Sequence, residues 1–229
     1  MVPSDIIQRT FHIAHDGGTG TAFTIEVGDL QYIVTAAHVV EGLEPDTRLS
    51  VMYQGGWTPI DIGDVWVSST GADLALISPK AQLSPCHPVV IGGASSFYLS
   101  QPIFFLGFPY GLRLDVGPIN NDFPVPFVKA GIVSSFTSAG AGSQIVFCDG
   151  HNNPGFSGGP IVAVDQHRRV HVIAVVSGYR YNDDPVLLNG QQTGLTYRSN
   201  TGLVIGYGLK EVVEHATSAR SGAPITVRA

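Results

Sequence analysis

Short apolar and β-branched segments alternate with turns rich in glycine and proline along almost the whole chain. The 229 residues include 28 glycines and 15 prolines, and the strand-like segments do not alternate with helices as they would in a parallel sheet. Such an alternation of short apolar segments with turns is typical of an antiparallel sandwich or barrel. The predicted strands are Thr21–Val27, Tyr32–Ala36, Leu49–Tyr53, Ile60–Val67, Leu74–Ile77, Pro102–Leu106, Val128–Ser135, Gln144–Cys148, Pro160–Val164, His171–Ser177 and Gly202–Gly206. The sequence therefore predicts an all-β fold.

The C-terminal region carries the clearest helical pattern. Apolar residues recur at helical spacing beside charged ones, which predicts a helix over about Leu209–Thr217. Residues 218–229 are predicted to be a flexible tail or the start of a linker, and residues 182–185 a turn. A weak boundary near residues 92–96 divides the strands into two halves, 1–95 and 96–217. The length suits one all-β domain overall.

Composition excludes several function classes. Only 13% of residues are charged and the net charge is −6, which argues against nucleic-acid binding. No apolar run is long enough to span a membrane, and the N-terminal residues lack the pattern of a secretory signal. Two cysteines, Cys86 and Cys148, do not make a disulfide framework. We therefore expect a cytoplasmic protein in a reducing compartment.

The segment 153–160, Asn-Pro-Gly-Phe-Ser-Gly-Gly-Pro, places Ser157 among glycines. A serine hydroxyl becomes a good nucleophile only when a base takes its proton and donors stabilise the oxyanion that follows. Glycines beside the serine let a substrate carbonyl approach backbone N–H groups. The same composition also occurs in ordinary turns. The motif taken alone therefore leaves a catalytic loop and a simple turn open.

His38 and Asp73 are the candidates for activating that serine. His38 follows the apolar strand ending in Thr35-Ala36-Ala37, and Asp73 directly precedes the apolar strand that begins at Leu74. A rigid scaffold can hold an imidazole and a carboxylate at such strand ends. A buried histidine bonded to a carbonyl and a turn aspartate are the ordinary alternatives. Together, the settings of His38 and Asp73 indicate a catalytic role much more strongly than either does alone.

Four segments in chain order resemble the trypsin/chymotrypsin-fold serine peptidases. They are residues 18–23, 35–38, 72–76 and 155–160, and further segments at 107–112, 131–134, 152–155 and 202–206 are similar to the HtrA (DegP-like) branch. The resemblance implies two six-stranded antiparallel β-barrels with the active site in the cleft between them. It also implies Ser157 as nucleophile, His38 as general base, Asp73 as its orienting partner, and the Gly155 and Ser157 N–H groups as the oxyanion hole. No metal or organic cofactor is implied, and no PDZ module fits beside the peptidase region.

Phe156 departs from the pattern of zymogen-activated members of this fold. Those members carry an aspartate there that binds a newly cut N-terminal ammonium, and phenylalanine cannot make that ion pair. Activation by clipping is therefore not expected. Either intrinsic order or a partner could hold the oxyanion loop in its active shape. The segment Arg113–Phe127 is longer than in the HtrA pattern, and we expect a surface loop there, either beside the cleft or as decoration.

The resemblance also implies a substrate-binding set of His151, Ser177, Gly178, Tyr179 and Gly202. His151 falls where the fold often places the floor of the specificity pocket, so a preference for basic side chains is not expected. A small or medium apolar side chain is favoured. His151 could instead contact an acidic or amide side chain, or its ring could point away from the pocket.

The sequence thus predicts a serine endopeptidase that cleaves polypeptides through an acyl-enzyme. Replacing Ser157 by alanine should then reduce turnover by a factor on the order of thousands or more. A catalytically silent binding module of the same fold and a serine esterase are the alternatives. An intracellular protease needs restraint, so we hypothesise a regulatory protein partner or an appended domain.

Overall fold

The computed structural model describes residues 2–86, 89–93, 96–137, 143–165 and 169–226. Regular structure in these ranges is dominated by two antiparallel sheets, one from each half of the chain. This confirms the predicted all-β class. Among these residues, no helix has both the length and the apolar character that crossing a membrane requires.

The first sheet closes into a six-stranded barrel. Its strands are β1 (Thr10–His15), β2 (Gly18–Val27), β3 (Leu30–Thr35), β4 (Arg48–Tyr53), β5 (Gly56–Val67) and β6 (Ala75–Pro79). They lie in the order β3-β2-β1-β4-β5-β6, and β3 also pairs with β6, so the barrel has no open edge. The predicted strands omit β1, because two histidines interrupt its apolar pattern. Its apolar residues Phe11 and Ile13 are nevertheless only 1% exposed.

The second sheet closes in the same way. Its strands are β7 (Val90–Ile91), β8 (Pro102–Gly107), β9 (Phe127–Phe136), β10 (Ile145–Asp149), β11 (Pro160–Val164), β12 (Val170–Leu188) and β13 (Gln191–Tyr207). β11 pairs with both β8 and β12, which completes a barrel of six strands. β7 lies in parallel beside β12, so the second sheet also includes two residues that precede the predicted boundary.

β12 and β13 continue beyond their barrel as a two-stranded ribbon. The turn is Asn189–Gly190, with φ of 51° and 79°, the left-handed conformations that a two-residue hairpin requires. The sequence predicts only the base of this ribbon and a turn at 182–185. The turn prediction is wrong, because Asn182 pairs with Ser199 within the ribbon. The Asn-Gly dipeptide is the signal that locates the real turn.

A one-turn helix, α1 (Ser4–Ile7), precedes β1, and the helix α2 (Lys210–Ala219) confirms the predicted C-terminal helix. The hydroxyl of Tyr32 on β3 donates to the carbonyl of Ala216 at 3.1 Å and ties the helix to the first barrel. Beyond the helix, strand β14 (Ala223–Pro224) pairs with β3, and the Thr226 N–H donates to Gln82 at 2.7 Å. The prediction of a flexible tail is therefore wrong for residues 223–226, while 227–229 lie outside the described residues.

Contacts between the barrels fix the cleft. One apolar cluster joins Phe23 and Leu76 of the first barrel to Leu106 and Val175 of the second. Glu211 of α2, which is 9% exposed, accepts hydrogen bonds from Ser68 (2.6 Å) and Thr70 (2.9 Å) after β5 and from the Ser143 N–H (2.6 Å) before β10. Burial raises the pKa of Glu211, but these hydrogen bonds outweigh it and lower the pKa below its usual range. The bridging carboxylate is thus kept ionised.

The long segment Arg113–Phe127 packs on the first barrel. It contains a 3₁₀ turn at Gly117–Asn120 and a single antiparallel bridge between Leu114 and Val125. The Gln54 N–H, in the β4–β5 turn, donates to the Asp122 carbonyl at 2.9 Å. A loop that begins and ends in the second barrel therefore contacts the first.

Candidate active site

Strand pairing brings His38 and Asp73 together. Thr35 at the end of β3 lies opposite Ala75 at the start of β6, so the residues that follow β3 meet those that precede β6. His38 lies in a 3₁₀ turn over Ala37–Val40. One carboxylate oxygen of Asp73 lies 2.7 Å from His38 Nδ1, and the other accepts the His38 backbone N–H at 3.0 Å. The carboxylate therefore fixes both the ring and the backbone of His38.

The loop carrying Ser157 runs from β10 to β11 and is tied to both barrels. The Thr21 N–H donates to the Ser157 carbonyl at 2.8 Å, and the Gly158 N–H donates to the Val176 carbonyl at 2.7 Å. Gly158 has a φ of 84°, and a Cβ there would overlap the Thr21 carbonyl oxygen. Only glycine fits this position without displacing a neighbouring strand.

Ser157 and His38 line one cavity of about 480 Å³ between the barrels. The Ser157 hydroxyl does not donate to His38 in this structure. It donates instead to the carbonyl of Ser177 at 3.0 Å. The structure thus brings the three predicted catalytic residues into one cleft, with the serine hydroxyl directed away from the base.

Ser177 forms hydrogen bonds with both Ser157 and Asp73. Besides its carbonyl contact with Ser157, its hydroxyl donates to Asp73 at 2.6 Å. The sequence assigns Ser177 only to the substrate-binding wall. The contact with Asp73 joins residues 104 positions apart, and no local pattern in the sequence indicates it.

The peptide bond between Pro154 and Gly155 has a defined orientation. The Pro154 carbonyl accepts the Tyr110 N–H at 2.8 Å. In a trans peptide the N–H points opposite to the carbonyl, so the Gly155 N–H faces away from Tyr110. Within the described part of the chain, neither the Gly155 N–H nor the Ser157 N–H has a hydrogen-bond acceptor. Both donors are therefore available to a ligand atom.

The side chain of Phe156 fixes this loop to an apolar cluster of the second barrel. Its side chain is completely buried, and its ring meets the Phe105 ring edge-on at 5.1 Å. The Lys129 ammonium lies 5.4 Å from the centre of the Phe156 ring, and it donates to the His151 carbonyl at 2.5 Å and to the Asn153 side chain. An apolar anchor and a lysine thus occupy the region where zymogen-activated enzymes use an ion pair.

Four of the five predicted substrate-binding residues lie at the base of the ribbon, and His151 lies in the loop between β10 and β11. Ser177, Gly178 and Tyr179 follow the last pairing of β12 with β11, which ends at Val175, so that edge of β12 is open beyond Val176. Gly202 on β13 accepts the N–H of Gly150 at 2.8 Å. His151 is exposed, and its backbone carbonyl faces Lys129. The specificity pocket itself stays a prediction.

The family model for the trypsin-like peptidase domain matches residues 18–175. The chain belongs to this family. The matched range includes His38, Asp73 and Ser157, whereas Ser177 lies just beyond its end. Comparison with curated protein sequences gives no match.

Solved structures share the fold of this trypsin-like peptidase domain. The inactive form of the Rv3671c protease, from M. tuberculosis H37Rv, superimposes with a TM-score of 0.59 at 19% identity, covering 96% of this chain and 92% of that one. The HtrA-type protease AlgW, solved with a decapeptide, gives a TM-score of 0.55 at 18% identity. The match to AlgW covers 87% of this chain and 51% of the AlgW chain. At these identities the likeness establishes the chymotrypsin-like fold.

The electrostatics of this trypsin-like domain favour a charged Asp73 beside a basic imidazole. The hydrogen bond with Asp73 raises the pKa of His38 above its usual value, burial opposes the rise, and the charges of Asp73 and Glu41 add to it. Burial raises the pKa of Asp73, but hydrogen bonds from His38 and Ser177 outweigh this and lower it. Asp73 therefore stays ionised wherever His38 is neutral enough to accept a proton.

Activity that depends on neutral His38 should fall on the acid side. Because its pKa is raised, the acid limb of kcat/KM should lie above about pH 6.5, the usual histidine value. Glu41→Gln removes one of the charges that raise this pKa, so the limb should move to lower pH. Measuring kcat/KM against pH for both proteins tests this, with Glu44→Gln, an exposed neighbour outside the cavity, as control. A limb that stays in place or moves to higher pH would contradict the assignment.

The remaining groups that could react or bind a metal are the two cysteines and the other histidine and acidic side chains. Cys148 is fully buried, and burial raises the pKa of its thiol to about 12, which makes it unreactive. Cys86 and Cys148 are both free thiols. Across the described ranges, no group of three or more histidine, cysteine or acidic side chains could hold a metal ion.

Proposed function

We propose that this chain is a serine endopeptidase in which Ser157 attacks the scissile carbonyl and His38 accepts its proton. The observation that carries the proposal is that Ser157 and a histidine clamped by a carboxylate line the same cavity. A clamped tautomer with Nδ1–H toward Asp73 leaves Nε2 as the proton acceptor.

The first step requires the Ser157 hydroxyl to change its hydrogen-bond acceptor. It leaves the Ser177 carbonyl by rotation about χ1 and donates to His38 Nε2. Attack then forms a bond from Oγ to the carbonyl carbon while His38 takes the proton. The Gly155 and Ser157 N–H groups donate to the oxyanion, and Asp73 stabilises the imidazolium.

The remaining steps return the enzyme to its starting state. His38 gives its proton to the leaving amine as the C–N bond breaks, which leaves an acyl group on Ser157. Water then attacks the ester while His38 takes its proton, and the bond between Ser157 Oγ and the carbonyl carbon breaks as His38 returns that proton to Oγ, which releases the acid product. Each proton that His38 takes is returned in the following step, so the peptide and one water molecule are the only reactants.

The open edge of β12 favours polypeptides over small esters. Ser177, Gly178 and Tyr179 offer backbone groups to which an extended substrate can pair as an added strand. Gly202 and His151 would border the side chain that precedes the scissile bond, and the apolar Val175 and Val176 nearby favour a small or medium apolar residue. AlgW, which shares the fold, was solved with a decapeptide.

A catalytically silent binding module is the second candidate. One observation favours it, since the Ser157 hydroxyl donates to Ser177 rather than to His38. Hydrogen bonds of catalytic groups are often formed only when substrate is bound. The two candidates differ in whether substrate draws that hydroxyl to His38.

Incubation with an unfolded reporter protein separates these functions. The endopeptidase proposal expects new peptide termini by mass spectrometry, and enzyme pretreated with a fluorophosphonate should produce none. Hydrolysis of small activated esters with no peptide cleavage would indicate an esterase. Binding without hydrolysis of either substrate would indicate the silent module and overturn the proposal.

A further inference from the structure

A continuous groove leads from the candidate nucleophile across the first barrel. The cavity with Ser157 and His38 adjoins a second cavity of about 490 Å³, and the two share His15, Asp16, Gly18 and Thr19. We call the combined space the hairpin groove, because the shared residues form the turn between β1 and β2. Trp57 and Arg48 line its far end. The groove thus continues from the candidate nucleophile to residues of β4 and β5.

The hairpin groove lies on the leaving-group side of Ser157. The acyl half of a substrate pairs with β12 in the second barrel, if the proposed function holds. His38, which must protonate the leaving amine, belongs to the first barrel, and the groove continues from it past Glu41 to Asp16. The part of the substrate after the scissile bond therefore meets this surface.

Negative charge dominates the near end of the groove. Asp16 and Glu41 line the first cavity, and both are exposed. Within the described residues neither carboxylate has an ion-pair partner, whereas Arg48 at the far end is paired with Asp61 at 3.1 Å. Glu41 also contributes to the raised pKa of His38, so its field reaches the reacting groups. A cation bound here would find two unpaired carboxylates.

Trp57 provides apolar area at the far end. Its side chain is 44% exposed, and its ring lies 4.8 Å from the ring of the buried His12, which holds the indole in place. A side chain further along the leaving segment can pack against this face. With increasing distance from Ser157, the groove therefore presents first negative charge and then the aromatic surface of Trp57.

We propose that the hairpin groove binds the leaving-group half of a polypeptide substrate and prefers lysine or arginine among the first three residues after the scissile bond. The inference rests on the proposed endopeptidase function for its direction along the substrate. It assigns Asp16 and Glu41 as specificity-determining residues. It is independent of the side chain that precedes the cleaved bond.

Two peptides test the preference directly. They share one sequence before the scissile bond and carry either lysine or glutamate at the three positions after it. We expect kcat/KM to be about tenfold higher for the lysine peptide, since two partly exposed charge pairs each contribute a few-fold. The Asp16→Asn/Glu41→Gln double variant should reduce this ratio to about twofold. Glu44→Gln, on the same loop but outside the groove, should keep it.

A binding measurement separates failure of this inference from failure of the proposed function. Fluorescein-labelled leaving-group peptides with lysine or glutamate are titrated into the Ser157→Ala variant and followed by anisotropy. Tighter binding of the lysine peptide, lost in a triple variant with Asp16→Asn/Glu41→Gln, supports the groove even if the wild type cleaves nothing. Equal affinities for the two peptides, or a preference unaffected by removing the carboxylates, would overturn it.

Discussion

Replacing Ser157 by alanine is expected to lower kcat for peptide cleavage by about 10⁶-fold, the order seen when Ser-His-Asp enzymes lose their nucleophile. The substitution removes the oxygen that attacks the substrate, while Gly158 and Thr21 still hold the loop through backbone hydrogen bonds. The fold should therefore be unchanged. Hydrolysis of a fluorogenic peptide, with circular dichroism to check folding, measures the effect.

Asp73→Asn is a second variant, for which a smaller loss of kcat is expected than for Ser157→Ala. It leaves the nucleophile in place but presents an amide to His38 Nδ1, which favours the wrong tautomer and should cost about 10⁴-fold in kcat. Because the triad acts as a unit, the double variant should be no slower than Ser157→Ala alone. Additive losses, or a Ser157→Ala protein that retains turnover, would show that cleavage does not depend on this group.

Replacing Phe156 by alanine is expected to lower the free energy of unfolding by about 3–5 kcal/mol, the usual cost of emptying a buried phenylalanine site. The ring is completely buried, packs edge-on against Phe105 and lies beside Lys129. Its loss leaves a cavity directly below the peptide units that carry the Gly155 and Ser157 donors. Urea denaturation at pH 7 measures the stability, and kcat of the folded protein measures the effect on the loop.

Phe156→Leu is the matched control. It keeps most of the apolar volume, so it should cost less than half as much stability and preserve most of the activity. If alanine and leucine at position 156 had equal effects on both measures, the side chain would not anchor the loop. The loop would then depend on the polar contacts of Lys129 and Tyr110 alone, or on a partner protein.

The sequence predicts those features of the molecule that depend on short segments. His38, Asp73 and Ser157 each lie in a local pattern, and their approach follows from the pairing of Thr35 with Ala75 and the return of the second barrel to the cleft. The C-terminal helix likewise follows from the spacing of Val212 and Ala216. Such features need no knowledge of distant neighbours.

Contacts between distant residues are what the sequence does not reveal. The hydrogen bond from Ser177 to Asp73, and the support that Tyr110 and Lys129 give to residues 151–154, all join separate strands or loops. The pairing of residues 223–224 with β3 also depends on an edge that only the folded barrel creates. Intramolecular contacts of Tyr110 and Lys129 support the loop around Phe156, and the hypothesis of a regulatory partner stays a prediction.

Stoichiometric labelling with a fluorophosphonate tests whether Ser157, His38 and Asp73 act together as a catalytic group. We expect one label per folded chain, located on Ser157 by peptide mapping. The labelling rate should fall as acid protonates His38, and labelling should be lost in Asp73→Asn. A folded protein that takes no label at Ser157, or labels equally fast without Asp73, would contradict it.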